Sequence, residues 1–179
     1  MDIWITLLRA VNVGGVNLLP MAEFRAMLEA IGLKGARTYI QSGNAVFRSD
    51  LTAPVLSASI ADAVLAHFGF RPPVLVLGQV QFQAALTANP FPKAASEPTH
   101  LHAFFMDRAM PEAGLAFLKS VAAPGEQYAL RGRVLWLYLP DGIGRSKLAR
   151  RVMALPVDIT ARNLRTVQTL ADLAQKLSA

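Results

Sequence analysis

The stretch YIQSGNAVF, residues 39–47, has the pattern of two short strands joined by a tight turn. Gly43 supplies the positive φ angle that such a turn needs, and the strands are predicted at Arg37–Ile40 and Ala45–Arg48. A shift of 89 positions places this stretch on YALRGRVLW, residues 128–136. Both stretches begin with tyrosine, carry glycine at their fifth position and end with an aromatic residue. The sequence therefore predicts the same hairpin twice.

The residues around the first hairpin predict the element order βαββαβ. Apolar β-branched residues mark the strands, and apolar residues at three-to-four spacing mark the helices. The other predicted elements are a strand at Ile3–Val11, a helix at Pro20–Ile31, a helix at Pro54–Phe68 and a strand at Val74–Leu77.

The same order follows a linking helix predicted at Gln79–Ala88. Its predicted elements are a strand at Leu101–Met106, a helix at Pro111–Val121, a hairpin of Gln127–Leu130 with Val134–Leu139, a helix at Ser146–Ala154, a strand at Val157–Thr160 and a helix at Asn163–Leu177. We predict an α+β fold of two tandem ferredoxin-like βαββαβ units, a pseudo-duplication with a C-terminal helix. The predicted boundaries are residues 1–78 for the first unit, 79–98 for the linking helix and loop, 99–161 for the second unit and 162–179 for the C-terminal helix.

Composition indicates a globular cytoplasmic protein. Apolar residues make up 53% of the 179 residues and charged residues 17%, which is enough apolar material for a sizeable core. No apolar run reaches the roughly 20 residues that cross a bilayer, so no membrane partner is expected. The first residues lack the positive charge and cleavage site of a signal peptide. The chain has no cysteine, which excludes disulfides, thiolate catalysis and cysteine zinc sites and fits a reducing compartment.

Positive charge is concentrated near the C-terminus. The formal net charge is +6, and six of the 18 basic residues fall within residues 145–165, where Asp158 is the one acid. Such a cluster favours a small anionic ligand or nucleic acid as a partner. The alternative is a solvated helix face without a partner.

The predicted topology brings separate polar loops together. With strand order 4-1-3-2, the first strand and the second-to-third hairpin of the first unit end on the same side. The residues expected to converge there are Asn12, Gly14, Gly15, Asn17, Gln41, Ser42 and Asn44, and Arg9 is a further candidate within the strand that leads to them.

The second unit predicts a different convergence. Its second helix begins at the end of the sheet where its fourth strand finishes. Arg145, Ser146 and Lys147 are therefore expected to face the TARN stretch, that is Thr160, Arg162 and Asn163. A helix N-terminus with basic neighbours favours an anion.

Neither glycine-containing motif matches an established phosphate loop. NVGGVN, residues 12–17, lacks the GxGxxG spacing, and GIGRSK, residues 142–147, lacks the P-loop spacing. Consecutive glycines can form an anion nest or simply a turn. Ser146 can cap its helix, and Arg9 can either pair with a carboxylate or reach a ligand.

Several kinds of chemistry lack support in the sequence. His100 and His102 have no third ligand at a suitable spacing, so no metal is predicted. The acids form no pair suited to acid–base catalysis, and Ser42 has no evident histidine partner. The pattern of RNA-recognition strands is missing. No cofactor is predicted, and whether the chain is an enzyme stays open, as does its oligomeric state.

The stretches LLRAVNVGGVN, YIQSGN, GRSKL and TARN together resemble a bacterial family, domain of unknown function 1697. The resemblance spans essentially the whole chain and implies a soluble bacterial protein with two ferredoxin-like subdomains. It brings no established activity. The family motifs fall on the candidate residues named above, except Arg145, and on Gly43. Ala10, Val16 and Leu164 depart from them, standing where the family usually has glycine, a basic residue and tryptophan.

The function expected from these patterns is binding of a small anionic ligand, such as a nucleotide or a phosphorylated metabolite. Backbone amides of Gly14 and Gly15 and the side chains of Asn12, Asn17 and Asn44 would donate hydrogen bonds, and charge would come from Arg145, Lys147 and Arg162. The alternatives are nucleic-acid binding through the basic face, an enzyme of unidentified reaction that uses Ser42 or Arg9, and a scaffold for a protein partner.

Overall fold

A computed structural model describes residues 1–110 and 112–178 of the chain. Within them the fold is mixed α+β, with two four-stranded antiparallel sheets and helices. The first sheet and its helices comprise β1 (Asp2–Leu8), α1 (Met21–Ala30), β2 (Lys34–Tyr39), β3 (Asn44–Ser49), α2 (Ala53–Phe68) and β4 (Val74–Gly78).

The remaining elements build the second sheet and finish the chain. They are α3 (Gln79–Thr87), a 3-10 helix at Pro92–Ser96, β5 (Leu101–Met106), a 3-10 helix at Glu112–Ser120, β6 (Gln127–Arg131), β7 (Val134–Tyr138), α4 (Lys147–Met153), β8 (Ile159–Asn163) and α5 (Leu164–Ser178). No helix among the described residues is both long and apolar enough to cross a membrane.

The two sheets have the same strand order. It is β2-β3-β1-β4 in the first and β6-β7-β5-β8 in the second, with antiparallel pairing throughout. Each is the predicted order 4-1-3-2 counted from the opposite edge. The central strands β1 and β5 therefore each have two neighbours, which is why their apolar side chains are so largely buried.

Each sheet buries one face under helices. Phe24 of α1 and Ile60 of α2 are fully buried with Phe47 of β3 in one cluster. In the second sheet, Leu148 of α4 packs in one cluster with Phe104 of β5. The apolar periodicity of the helices thus supplies one half of each core and the alternation of the strands the other half.

Several predicted elements differ from the structure, among them the first strand, the helix from Pro111 and the last strand. β1 ends at Leu8 instead of Val11, so Arg9 lies just beyond the strand. The segment predicted as an α-helix from Pro111 is a 3-10 helix at Glu112–Ser120, and Pro111 itself lies outside the described residues. The last strand is Ile159–Asn163 instead of Val157–Thr160, so the whole TARN stretch lies within the strand.

The chain divides into two compact units, Met1–Ala84 with Thr169–Ala179, and Ala85–Gln168. The helix α5 begins in the second unit and ends in the first. The four-part division predicted from the sequence, whose last residue Ala179 lies outside the described residues, stays a prediction.

Candidate functional site

The NVGGVN stretch forms a two-residue hairpin. Val16 N donates to Val13 O at 3.2 Å, and the two valines form an antiparallel bridge. Gly14 and Gly15 between them have φ angles of +60° and +78°. Two successive residues with positive φ are the requirement of a type I′ turn, for which Gly-Gly is a preferred pair. The turn alone accounts for both glycines.

The Asn12 side chain joins this hairpin to the second loop. Its Nδ2 donates to Gln41 O at 2.8 Å and to Leu19 O at 2.9 Å, and its Oδ1 accepts from Leu19 N at 2.7 Å. Asn12 and Gln41 are 29 positions apart in the sequence. The structure thus brings the two loops of the first unit together at the end of β1.

Gly43 brings the same loops into close contact. Its carbonyl accepts from Leu8 N at 2.9 Å, and its φ angle is +71°. A Cβ atom at this position would lie 2.7 Å from Leu8 Cβ and 2.8 Å from Val11 Cγ2, distances that real side chains do not tolerate. Glycine at position 43 therefore serves both the turn and the packing.

The other asparagine amides are also used inside the protein. Asn44 is buried, and its Nδ2 donates to Ser42 Oγ at 2.8 Å and to Tyr39 O at 3.1 Å. Asn17 Nδ2 donates to Ala10 O at 2.9 Å. Since Asn12 and Asn44 each give both amide hydrogens to internal acceptors, their donors hold the loops in place.

Four residues other than glycine at this end of the unit have left-handed backbone. They are Ala10, Asn12, Asn17 and Ile40, with φ angles between +48° and +57°. Asparagine adopts this conformation readily, whereas alanine and isoleucine are strained there. Arg9, which the sequence placed within a strand, is half-buried beyond the strand end and makes no ion pair with any described residue.

In the second unit, Arg145 and Lys147 line one cavity. It has a volume of about 560 Å³, and its other lining residues are Val121, Ala123, Glu126, Asp141 and Ser146. Both cations are exposed, and neither forms an ion pair within the described part of the chain. Ser146 is buried and its Oγ accepts from Ala149 N at 2.9 Å, so this side chain caps α4.

Arg162 and Thr160 do not join that cavity, which corrects the predicted convergence. Ile159 and Ala161 pack in the same cluster as α4, and side chains alternate along a strand. Thr160 and Arg162 therefore lie on the opposite face of the sheet. Asn163 shares the α4 face, but its Oδ1 accepts from Thr166 N at 2.9 Å at the start of α5.

The Arg162 guanidinium is held within the protein. Its Nη1 donates to Thr160 Oγ1 and to Ala161 O, both at 2.8 Å, and the residue is only 8% exposed. Burial lowers the pKa of Arg162 to about 10. Arg162 is consequently a charged group of the interior, whereas the sequence placed it among surface ligand residues.

A second cavity in the same unit was not anticipated from the sequence. It measures about 470 Å³ and is lined by Pro90, Phe91, Pro92, Lys93, Ala94, Glu97, Gln127 and Tyr138. The Tyr138 hydroxyl donates to Glu97 Oε2 at 2.6 Å, and His100 Nδ1 lies 3.7 Å from the same oxygen. The Tyr138 hydrogen bond lowers the pKa of Glu97, and the same bond raises the pKa of Tyr138. Glu97 and Tyr138 are 41 positions apart, so no local motif links them.

The described residues contain no group of three side chains suited to holding a metal ion. His102 is largely buried, and its Nδ1 donates to His100 O at 3.3 Å. Burial is the main reason that the pKa of His102 is lowered.

The two sheets and their helices define a mixed α+β protein. Comparison with known proteins places this protein in a family. The model of the family described as "Protein of unknown function (DUF1697)" matches residues 1–136. The chain therefore belongs to this family, which confirms the family membership expected from the sequence.

One solved structure supports the fold over the full length. The conserved bacterial protein SP0830 from Streptococcus pneumoniae is 22% identical, with a TM-score of 0.76, and the match covers 97% of this chain and 98% of that one. At this identity the likeness concerns the fold alone. No match was found among curated proteins.

Proposed function

We propose that this protein binds a small phosphorylated ligand that also carries hydroxyl groups, such as a nucleotide, in the cavity lined by Arg145 and Lys147. The observation that carries the proposal is the pair of exposed cations on one cavity, neither of them committed to an ion pair among the described residues. Charged hydrogen bonds from arginine and lysine are the usual contacts to a phosphate group.

The acids on the same cavity narrow the ligand further. Asp141 accepts no hydrogen bond from any described residue, whereas Glu126 Oε2 accepts from Ala123 N at 2.8 Å. A free carboxylate repels a bare anion but accepts hydrogen bonds from hydroxyl groups, as in the recognition of ribose. The mixed lining therefore favours a nucleotide or sugar phosphate over inorganic phosphate.

Thermal unfolding in the presence of ligands tests this proposal. We expect adenosine diphosphate or ribose 5-phosphate to raise the melting temperature by roughly 5–10 °C at a hundredfold excess over Kd. Inorganic phosphate and adenosine should each give a smaller shift. The double substitution Arg145→Ala with Lys147→Ala should abolish the shift.

The matched control removes two exposed arginines outside the cavity lining, Arg150→Ala with Arg165→Ala. It changes the net charge by the same amount and should retain the shift. If no phosphorylated compound stabilises the unmodified protein, or if both double variants lose the shift equally, a specific site at this cavity is refuted.

Nucleic-acid binding is the second candidate, since five of the six clustered basic residues are exposed: Arg145, Lys147, Arg150, Arg151 and Arg165. Binding through such a surface weakens steeply with salt because counterions are released from the phosphate backbone. A gel-retardation experiment at two salt concentrations separates this function from a small-molecule site. In it, the two double variants should weaken binding to a similar extent.

Within the α+β class, we propose that the fold is a tandem duplication of ferredoxin-like units. The identical strand orders of the two sheets support this proposal. Superposition of the sheets tests this proposal, which requires β2 to fall on β6 and β3 on β7. A cytoplasmic location stays a prediction from the sequence.

A further inference from the structure

We infer that the cavity between the Pro92–Ser96 helix and strands β6 and β7 is a separate binding site for a small amino acid-like zwitterion with an apolar side chain. Its volume, about 470 Å³, lies within the usual range for small-molecule sites. All its lining residues belong to the unit formed by residues 85–168. The inference does not depend on phosphate binding at the other cavity.

Glu97 supplies a fixed negative charge. Its Oε2 accepts the Tyr138 hydroxyl at 2.6 Å, and this bond anchors a carboxylate whose side chain is still 51% exposed. Its Oε1 accepts no hydrogen bond from any described residue. The ordinary pKa of glutamate already lies below neutral pH, and the Tyr138 bond lowers the pKa of Glu97 further, so the group is ionised at neutral pH. One oxygen is thus held in place and the other is available to an ammonium group.

Lys93 supplies the opposite charge on the same cavity. It is exposed, and its ammonium group makes no ion pair with any described residue. Lys93 and Glu97 lie four positions apart, a spacing that would pair them on an α-helix. The segment is instead a 3-10 helix that ends at Ser96, and the two charges stay unpaired with each other.

The rest of the lining determines what lies between the charges. Phe91 and its two proline neighbours provide an apolar wall, and Gln127 adds an amide. A phosphate dianion would be repelled by Glu97, and a simple cation would be repelled by Lys93. A zwitterion satisfies both charges and can place an apolar side chain against Phe91. The chemistry therefore favours a free α-amino acid with an aromatic or large aliphatic side chain.

Calorimetric titration with L-phenylalanine and two analogues tests the site. The methyl ester removes the carboxylate that Lys93 would bind, and the N-acetyl derivative removes the ammonium group that Glu97 would bind. We expect free phenylalanine, or another large apolar amino acid of the standard twenty, to bind and each analogue to bind at least tenfold more weakly.

Substitutions of Glu97 and Lys93 test which group of the ligand each residue binds. Glu97→Gln should weaken binding of the free amino acid at least tenfold while leaving the weak binding of the N-acetyl analogue unchanged, and Lys93→Gln should do the same for the methyl ester. Glu126→Gln and Lys147→Ala alter the other cavity and should leave binding of the free amino acid unchanged. Glu97 and Lys93 are exposed, so both variants should fold. Tyr138→Phe is a second test of Glu97, because it removes the hydrogen bond that holds the Glu97 carboxylate and should also weaken binding of the free amino acid.

The inference is overturned if none of the standard amino acids binds, or if Glu97→Gln binds the free amino acid as tightly as the unmodified protein. Equal binding of free phenylalanine and both analogues would also overturn it, because charge recognition is its basis. A failure of phosphate binding at the Arg145 cavity would leave these results unchanged, so the two proposals are tested separately.

Discussion

Gly43 is the position at which the contact between the two loops of the first unit can be tested. An alanine there would adopt a φ angle of +71°, at a cost of about 1–2 kcal/mol for left-handed backbone. Its Cβ would also overlap Leu8 Cβ and Val11 Cγ2, and overpacking of this kind costs about 1–3 kcal/mol. We therefore expect Gly43→Ala to lower the free energy of unfolding by about 2–5 kcal/mol.

Gly14→Ala is the matched control. Its φ angle is +60°, and no described atom lies within 4 Å of its Cβ position, so it carries the backbone cost alone. Urea unfolding followed by tryptophan fluorescence gives both free energies, provided that the m-value is unchanged. If Gly43→Ala lowers the free energy of unfolding by no more than Gly14→Ala does, the close contact of the two loops does not exist in solution.

Four further predictions concern single side chains. Asn12→Gly keeps the left-handed backbone but removes three hydrogen bonds. We expect it to lower the free energy of unfolding by about 1–3 kcal/mol in the same urea experiment. An unchanged urea midpoint would contradict the role of Asn12 in joining the loops. Thr6→Val should raise it by about 1–2 kcal/mol, because the buried Thr6 Oγ1 has no hydrogen-bond partner among the described residues, whereas Thr6→Ser should lower it. Ala10→Gly should raise it by about 0.5–1 kcal/mol by relieving strain at a φ angle of +57°, and a loss of stability would show that the strain is absent. In the folded state the pKa of His102 lies below its ordinary value of 6.5, so the unfolded chain takes up this proton first and stability should fall as the pH drops below about 6.5. The melting temperature of His102→Gln should therefore change less between pH 7.5 and 5.5 than that of the unmodified protein. Parallel melting curves for the two proteins would refute the effect.

Much of the fold followed from patterns in the sequence. The strands were found because β-branched and aromatic residues alternate or cluster between glycine and proline signals, and the order of the strands followed from the two hairpins. The 3-10 helix at Glu112–Ser120 was missed because its apolar spacing also fits an α-helix. The end of β1 was misplaced because Val11 continues the apolar run, although the backbone turns at Ala10.

The candidate site was predicted less well, for reasons of side-chain geometry. The approach of Asn12 and Gln41 follows from topology, but the sequence does not reveal that the amide hydrogens of Asn12 are already used within the protein. Arg162 was misplaced because a shift of the strand from Val157–Thr160 to Ile159–Asn163 turned an expected loop residue into a strand residue. Once in a strand, its position relative to Ile159 decides which face it occupies.

The course of α5 affects the order in which the protein can fold as it is synthesised. The unit formed by residues 85–168 is continuous, whereas the other unit combines Met1–Ala84 with Thr169–Ala179. Arg48 Nη2 donates to Leu177 O, and Ser178 Oγ donates to Gln79 Oε1 at 2.9 Å, so these contacts form only when the last helix has been made. Domains usually fold on the ribosome in the order of their synthesis. Here the first sheet emerges early, but its unit also needs the residues from Thr169 on, which are made after residues 85–168. The later unit is therefore complete before the earlier one.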